Sequence, residues 1–177
     1  MIRPIILLGD PLLSEVSAEV NKGSQADVKL LISDMFETMN KANGVGLSAV
    51  QVGVPLRIFV VDAELEGNIF RQAFINPVIL KEFGESLKHP EGCLSVPGLA
   101  GVVERPEGIE IEWYDENWEY HKKSFSGFEA RVIQHEYDHL EGRVYVDYLD
   151  TLWKSALAEP INLIHERKME GVNYLWK

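Results

Sequence analysis

The 177-residue chain has little cysteine and fewer basic than acidic side chains. Its only cysteine, Cys93, cannot form an internal disulfide, which favours a reducing compartment. There are 17 Lys and Arg against 28 Asp and Glu, so a general nucleic-acid surface is excluded, because phosphate binding needs clustered cations. No apolar stretch is long enough to cross a bilayer, and the apolar run in residues 1–10 lacks the length and cleavage site of a signal peptide. These absences predict a cytoplasmic protein that has neither DNA nor a membrane as a partner.

The run Gln134–His139 (QHEYDH) has the residues of a metal hydrolase site. His135 and His139 are four positions apart, so on a helix they lie one turn apart on the same face. Two imidazoles in that arrangement can bind one divalent ion, and Glu136 can hold and deprotonate a metal-bound water. The run therefore predicts a hydrolytic metal site.

The residues around this run favour a helix. Ser126 and Glu129 have the spacing of a capping box, and Gly142 suits the end of the helix. Steps of three and four residues predict one shared face for Phe128, Val132, His135 and His139.

A tetrahedral catalytic site needs a third protein ligand and an open position for water. The metzincin spacing would require a histidine where this chain has Tyr145. Glu159 and Glu166 are downstream candidates, although both lie in a charged segment typical of a solvated helix face. The remaining candidate is Cys93, which follows a glycine and whose thiolate suits zinc or iron. A lone cysteine is otherwise most often a small buried hydrophobic residue.

The chain has no repeat or long linker, so we expect a single domain over residues 1–177, with a C-terminal helical extension at about 151–170. Asp27–Asn40 has the apolar periodicity of a helix. Four further segments have the pattern of β-strands: Arg57–Asp62, Phe74–Leu80, Ile109–Asp115 and Tyr120–Phe125. The pattern predicts an α+β fold, in which antiparallel or mixed β-sheets pack around the central metal-binding helix between an N-terminal and a C-terminal helix.

Three separated segments resemble the signature motifs of the peptide deformylase family. They are Gly44–Gln51 (GVGLSAVQ), Glu91–Ser95 (EGCLS) and Gln134–His139 (QHEYDH), in the order and at the spacing of that family. The similarity runs from Pro11 to about Asp150. Each motif alone is moderately specific, whereas all three in order are highly specific.

The resemblance implies a role for each motif residue. It implies Cys93, His135 and His139 as metal ligands and Glu136 as the general acid and base. It implies that the Gln51 amide and the backbone N–H of Leu94 donate hydrogen bonds to the oxygen of the formyl carbonyl. The implied substrate-binding residues are Gly44, Val45, Gly46, Glu91 and Gly92. Asp138 is either a supporting residue of the site or a helix-surface carboxylate.

The resemblance also implies the cofactor and the partners. We expect one divalent metal ion, Fe²⁺ in the cell, with Zn²⁺, Ni²⁺ or Co²⁺ as alternatives in purified protein. The expected substrates are formylmethionyl ends of nascent peptides, and docking on the ribosome near the exit tunnel is left open. His89, His121 and His165 have no partner at ligand spacing, and we interpret them as surface or structural residues.

Three positions depart from the family pattern. Ser48 stands where alanine is usual and Val50 where threonine or proline is common, and both are small enough to leave the loop intact. Ala100 occupies a position that is often arginine, although the later arginine is present as Arg105.

Two other functions are weighed: a zinc endopeptidase with a glutamate as third ligand, and a structural metal module with a closed four-ligand site.

Overall fold

The computed structural model describes residues 1–65 and 68–166, and within them five β-strands form one antiparallel sheet in chain order. Three α-helices accompany the sheet in this part of the chain, so the predicted α+β class is confirmed. The strands are β1 (Gly46–Ser48), β2 (Ile58–Leu65), β3 (Asn68–Cys93), β4 (Val96–Tyr114) and β5 (Tyr120–Ser126).

Strand β2 separates two of the three buried hydrophobic clusters. Its side chains alternate between the two faces of the sheet, as the period of a β-strand requires. Ile58 and Val60 pack in the cluster that contains helix α1, whereas Phe59 and Val61 pack in the cluster that contains helix α2. Both faces of this strand are therefore buried.

Helix α1 (Gln25–Lys41) covers the first face. It contains the predicted helix Asp27–Asn40 and buries one apolar side, whose members include Val28, Ile32, Met35 and Met39. Asn43, with φ 54°, takes the chain out of the helix in a left-handed conformation, so Gly44 leads directly to β1.

Helix α2 (Gly127–Leu140) covers the second face and carries the histidine pair. The predicted capping box at its start is wrong, because the Ser126 side chain makes no capping hydrogen bond. Ser126 is instead the last residue of β5, and Gly127, with φ 62°, turns the chain from strand to helix. Gly142, with φ 69°, follows the end of the helix as predicted.

Strands β3 and β4 form a long hairpin whose tip lies beside α2. The predicted strand Phe74–Leu80 is only part of β3, which continues to Cys93 through several register shifts. At the end of the hairpin Cys93 pairs with Val96, so a tight turn holds the cysteine in place.

Helix α3 (Thr151–His165) begins after Asp150, whose side chain accepts a hydrogen bond from the backbone N–H of Trp153. The predicted helical extension reached to about residue 170, and its last positions, from 167 onward, lie outside the described residues. Among the described helices, none has the length and hydropathy needed to span a bilayer.

Candidate metal centre

Helix α2 directs the histidine pair and the adjacent glutamate into the protein. His135 is 9% exposed, Glu136 4% and His139 0%. The centroids of the two imidazole rings lie 5.2 Å apart. The helix thus places both rings on one buried face, as the four-residue spacing requires.

Cys93 reaches this pair from the tip of the β3–β4 hairpin. Its Sγ lies 3.3 Å from Nε2 of His139. One ligand atom from each of Cys93, His135 and His139 lies within 4.8 Å of the others. Glu159 and Glu166, the alternative third ligands, are exposed on α3 and at its C-terminal cap, outside this group.

The charge state of His139 fits a metal ligand. Burial lowers the pKa of His139 well below 6.5, and the charges of His135 and Arg105 act in the same direction. The ring is therefore neutral, and a neutral imidazole is the form that binds metal ions.

The groups around His135 stabilise positive charge on its ring. Burial by itself lowers the pKa of His135, but Cys93 and Glu91 outweigh it and raise the pKa to about 10. A divalent cation supplies positive charge in the same place. One thiolate and two imidazoles are also a donor set that suits Zn²⁺ or Fe²⁺, so the residues fit a metal ion.

Glu91 holds the His135 ring in position. Its Oε2 lies 2.9 Å from Nδ1 of His135, and Arg105 donates to both carboxylate oxygens at 2.6 and 2.9 Å. Arg131 Nη1 donates a further hydrogen bond of 2.8 Å to Oε1 of Glu91. Burial raises the pKa of Glu91, but hydrogen bonds from His135 and Arg105 hold it well below its usual range. A charged Glu91 fixes the proton on Nδ1, which leaves Nε2 of His135 to bind a metal.

The same arginine links the site to Asp138. Arg105 Nη1 donates to Oδ2 of Asp138 at 2.7 Å, and the Tyr148 hydroxyl donates to Oδ1 at 2.9 Å. Asp138 is 7% exposed. Asp138 is therefore buried behind the site and is not a helix-surface carboxylate, and its supporting role stays a prediction.

Glu136 lies directly against β1. A Cβ atom at Gly46 would come within 2.4 Å of Oε1 of Glu136, so only glycine leaves room for this carboxylate. Burial raises the pKa of Glu136 to about 7, against the lowering influence of His135 and Ser48. A pKa near neutrality suits a group that takes a proton and then gives it back.

The two predicted hydrogen-bond donors lie beside the ligands. Gln51 is 1% exposed, and its Nε2 lies 3.1 Å from Oγ of Ser95 and 3.4 Å from Sγ of Cys93. Leu94 follows Cys93 in the hairpin turn and lines the adjoining cleft. The sequence analysis assigned no role to Ser95, although its polar side chain inside the second motif was the available signal.

A cleft of about 480 Å³ opens next to these residues. Its walls include all five residues that were expected to bind substrate: Gly44, Val45, Gly46, Glu91 and Gly92. Ala100 also lies in its wall. Sequence reasoning gave no substrate role to three wall residues that α2 supplies: Phe128, Arg131 and Val132.

Comparisons with known proteins agree with one another. A family model described as polypeptide deformylase matches residues 2–155. The peptide deformylase of Cytophaga hutchinsonii is 47% identical over 161 residues, which cover 89% of this chain and 87% of that protein. The crystal structure of peptide deformylase from Thermus thermophilus is 36% identical and superposes with a TM-score of 0.86, covering 94% of this chain and 99% of the other. A Plasmodium falciparum peptide deformylase in complex with inhibitor gives a TM-score of 0.83 at 36% identity, covering 92% and 99%.

Proposed function

The chain belongs to the polypeptide deformylase family, and from that premise we propose how its own residues perform the hydrolysis. It is a metal-dependent hydrolase that removes the N-formyl group from newly synthesised peptides.

Cys93, His135 and His139 hold the metal ion. The observation that carries this assignment is the convergence of their ligand atoms within 4.8 Å next to the cleft. A divalent cation bound there supplies a Lewis acid that makes water a nucleophile at neutral pH and polarises a carbonyl. One thiolate and two imidazoles suit Fe²⁺, Zn²⁺, Ni²⁺ and Co²⁺ alike, and we propose Fe²⁺ in the cell because the family resemblance implies it, with the other ions possible in purified protein.

Glu136 moves the proton. Its carboxylate takes a proton from the water whose oxygen attacks the formyl carbon. As the C–N bond breaks, Glu136 gives that proton to the departing amine nitrogen, so the products are formate and a free peptide N-terminus. Its pKa of about 7 and its 4% exposure support this role.

Gln51 and Leu94 stabilise the negative charge that develops on the carbonyl oxygen. The Nε2 of Gln51 and the backbone N–H of Leu94 are the proposed donors, and both groups lie next to Cys93. Losing one such donor typically costs about 3 kcal/mol of transition-state stabilisation.

The peptide lies along β1. This strand is at the edge of the sheet and pairs only with β2 among the described strands, so a peptide backbone can pair with its other edge near Gly46. Gly46, the first residue of β1, and Gly44 and Val45, which precede the strand, line the cleft on this side, and Glu91 and Gly92 also line it. The apolar side chains of Phe128 and Val132 suit the first side chain of a formylmethionyl peptide.

The site of action follows from the substrate. Formylmethionyl chains emerge at the ribosome, so we propose that the enzyme acts in the cytoplasm near the exit tunnel. The unpaired Cys93 supports a reducing compartment, since a metal thiolate must not be oxidised. Co-sedimentation with ribosomes that carry nascent chains tests this placement, and no enrichment over empty ribosomes would contradict it.

The deciding experiment combines metal analysis with an assay on a formylmethionyl peptide. Protein purified without oxygen should contain one metal per chain, and analysis identifies the ion. Cys93→Ser should lower metal affinity by more than about 100-fold. Losing a ligand should weaken metal binding more than losing a residue that only supports a ligand, which typically costs about 10- to 100-fold. Glu159→Gln is the matched control and should keep metal and activity. If Cys93→Ser kept its metal and Glu159→Gln lost it, the result would favour a glutamate ligand and the endopeptidase alternative.

A further inference from the structure

We propose that Ser48 is a positioning residue for the hydrolysis, because its hydroxyl holds the Glu136 carboxylate and its backbone N–H holds the Gln51 amide. The inference rests on the proposed roles of Glu136 and Gln51. The family resemblance does not supply it, since alanine is usual at this position and carries no side-chain donor.

The hydroxyl of Ser48 bridges two oxygens of Glu136. Ser48 is the last residue of β1 and is 0% exposed. Its Oγ lies 2.8 Å from Oε2 of Glu136 and 2.9 Å from the backbone carbonyl oxygen of the same residue. The hydroxyl has one proton to donate, and while Glu136 is ionised it can give that proton to Oε2. Once Oε2 carries a proton, the hydroxyl can accept from it and donate to the backbone carbonyl oxygen, so it partners the carboxyl group both before and after proton transfer.

Gly46 confines the other side of the carboxylate. Residues 46 and 48 are two apart in a strand and therefore face the same side. The position of a Cβ at Gly46 lies 2.4 Å from Oε1 of Glu136, while Ser48 bonds to Oε2. The carboxylate thus has a close wall on one side and a hydrogen bond on the other, which together restrict its rotation.

The backbone of Ser48 orients the second catalytic group. Its N–H donates to Oε1 of Gln51 at 2.8 Å. Because Oε1 is held in this way, Nε2 must point toward Cys93 and Ser95, where a donor to the carbonyl oxygen is needed. One residue of β1 therefore sets the relative position of the proton carrier and of the oxyanion donor.

The hydroxyl has a measurable role only if Glu136 depends on it. A buried hydroxyl costs free energy unless it is hydrogen-bonded, and both oxygens within hydrogen-bond distance of the Ser48 hydroxyl belong to Glu136. Small displacements of catalytic groups slow the chemical step without weakening ground-state binding. The expected signature is therefore a change in kcat and not in KM.

Ser48→Ala removes the hydroxyl and keeps the backbone bond to Gln51. We expect kcat on a formylmethionyl peptide to fall about tenfold, with KM within about twofold of wild type, since the lost bond is to a charged group. Metal content should not change. The matched control is Ser17→Ala: Ser17 is 4% exposed, and its Oγ has no hydrogen-bond partner among the described residues. That variant should keep both kinetic constants.

Ser48→Cys covers the case in which the alanine variant does not fold. It keeps a side chain of similar size with a weaker donor, so kcat should lie between those of wild type and Ser48→Ala. In the metal-loaded enzyme, the infrared carboxylate band of Glu136, isolated by subtracting the Glu136→Gln spectrum, should shift on Ser48→Ala. An unshifted band, an unchanged kcat or a rise in KM alone would overturn the proposal.

A double-mutant cycle separates this inference from the proposed function. In the Glu136→Gln background, adding Ser48→Ala should lower the residual kcat far less than about tenfold, because both changes act on one group. A full further loss would show that Ser48 acts elsewhere. Near-normal turnover of Glu136→Gln alone would overturn the role of Glu136 itself, whereas a normal Ser48→Ala enzyme beside an inactive Glu136→Gln enzyme overturns only the role of Ser48.

Discussion

Two groups of side chains in the described part of the chain have the spacing of metal ligands. One consists of Cys93, His135 and His139, and the other is formed at the turn between β4 and β5 by three residues: Asp115, Glu119 and His121. In both groups the ligand atoms lie within 4.8 Å of one another. Both also contain a histidine paired with a carboxylate, at 2.9 Å for His135 with Glu91 and at 2.8 Å for His121 with Asp115.

The difference lies in what the ligand atoms already bind. In the turn, Oδ1 of Asp115 accepts hydrogen bonds from the backbone N–H groups of Asn117 and Glu119, and Oδ2 pairs with His121. These bonds close the turn, so both carboxylate oxygens of Asp115 already have protein partners. In the helix site the carboxylate lies behind the histidine, and the ligand atoms face each other beside a cleft. Proximity alone therefore does not define a metal site; the orientation of the ligand atoms does.

The largest expected contrast comes from removing one histidine in each group. His139→Ala should abolish stoichiometric metal binding and reduce deformylase activity by more than about 100-fold, since a ligand matters more than its supporting residues. His121→Ala should keep both within about twofold, as expected for a surface side chain. Metal content by elemental analysis and initial rates are the measurements. Metal loss from the His121 variant would show that the turn is a metal site.

The second contrast separates metal binding from proton transfer inside the helix site. Glu136→Ala should retain the metal ion and lose about 10²- to 10⁴-fold in kcat, the usual contribution of a general acid and base. Glu136 is adjacent to His135 in sequence and therefore points away from the shared face of the two ligands. A variant that lost its metal, or one that stayed active, would contradict the assignment.

The third contrast compares the two carboxylates that support histidines. Glu91→Gln should lower metal affinity by about 10- to 100-fold, because the Nδ1 proton of His135 loses its charged acceptor. It should also destabilise the fold, since Arg105 and Arg131 lose a buried partner. Asp115→Asn should leave metal affinity unchanged. Competition with a chelator of known affinity measures both variants, and equal affinities would remove the distinction between the two pairs.

The sequence alone allowed us to predict helices α1 and α2, and the structure brings the three proposed ligands together. The four-residue step between His135 and His139 fixes one face of a helix, and the apolar period of α1 is clear, so both predictions hold in the structure. Cys93 was preferred to Glu159 because a glycine precedes it, the histidine pair lacked one ligand and its segment resembles a family motif, and the two residues do lie in different environments. Local patterns suffice where a feature depends on neighbouring residues.

Features that depend on distant segments could not be predicted. The second half of β3 has exposed, polar residues around Gly84 and Pro90, so it lacks the alternation that indicates a strand. It is ordered by pairing with the first half of β4, residues 96–106, which was not predicted as a strand either. Ser48 was interpreted only as a small residue, because its contact with Glu136 joins positions 88 apart. The single-domain prediction remains a prediction.

The smallest expected effect concerns the stability of the turn. Burial raises the pKa of Asp115, but hydrogen bonds from His121, Glu119 and Asn117 outweigh it and lower the pKa below 3.8. A carboxylate with a lowered pKa in the folded state stabilises the protein above its unfolded pKa, and this contribution disappears as the pH falls through the folded value. Asp115→Asn should therefore reduce the free energy of unfolding by about 0.5–1.5 kcal/mol at pH 7, the usual net contribution of a hydrogen bond. The difference from wild type should shrink below about pH 4, near the ordinary pKa of a free aspartate. Urea denaturation at about pH 7 and about pH 3 measures this, and a difference that widened in acid would show that the Asp115 charge does not stabilise the turn.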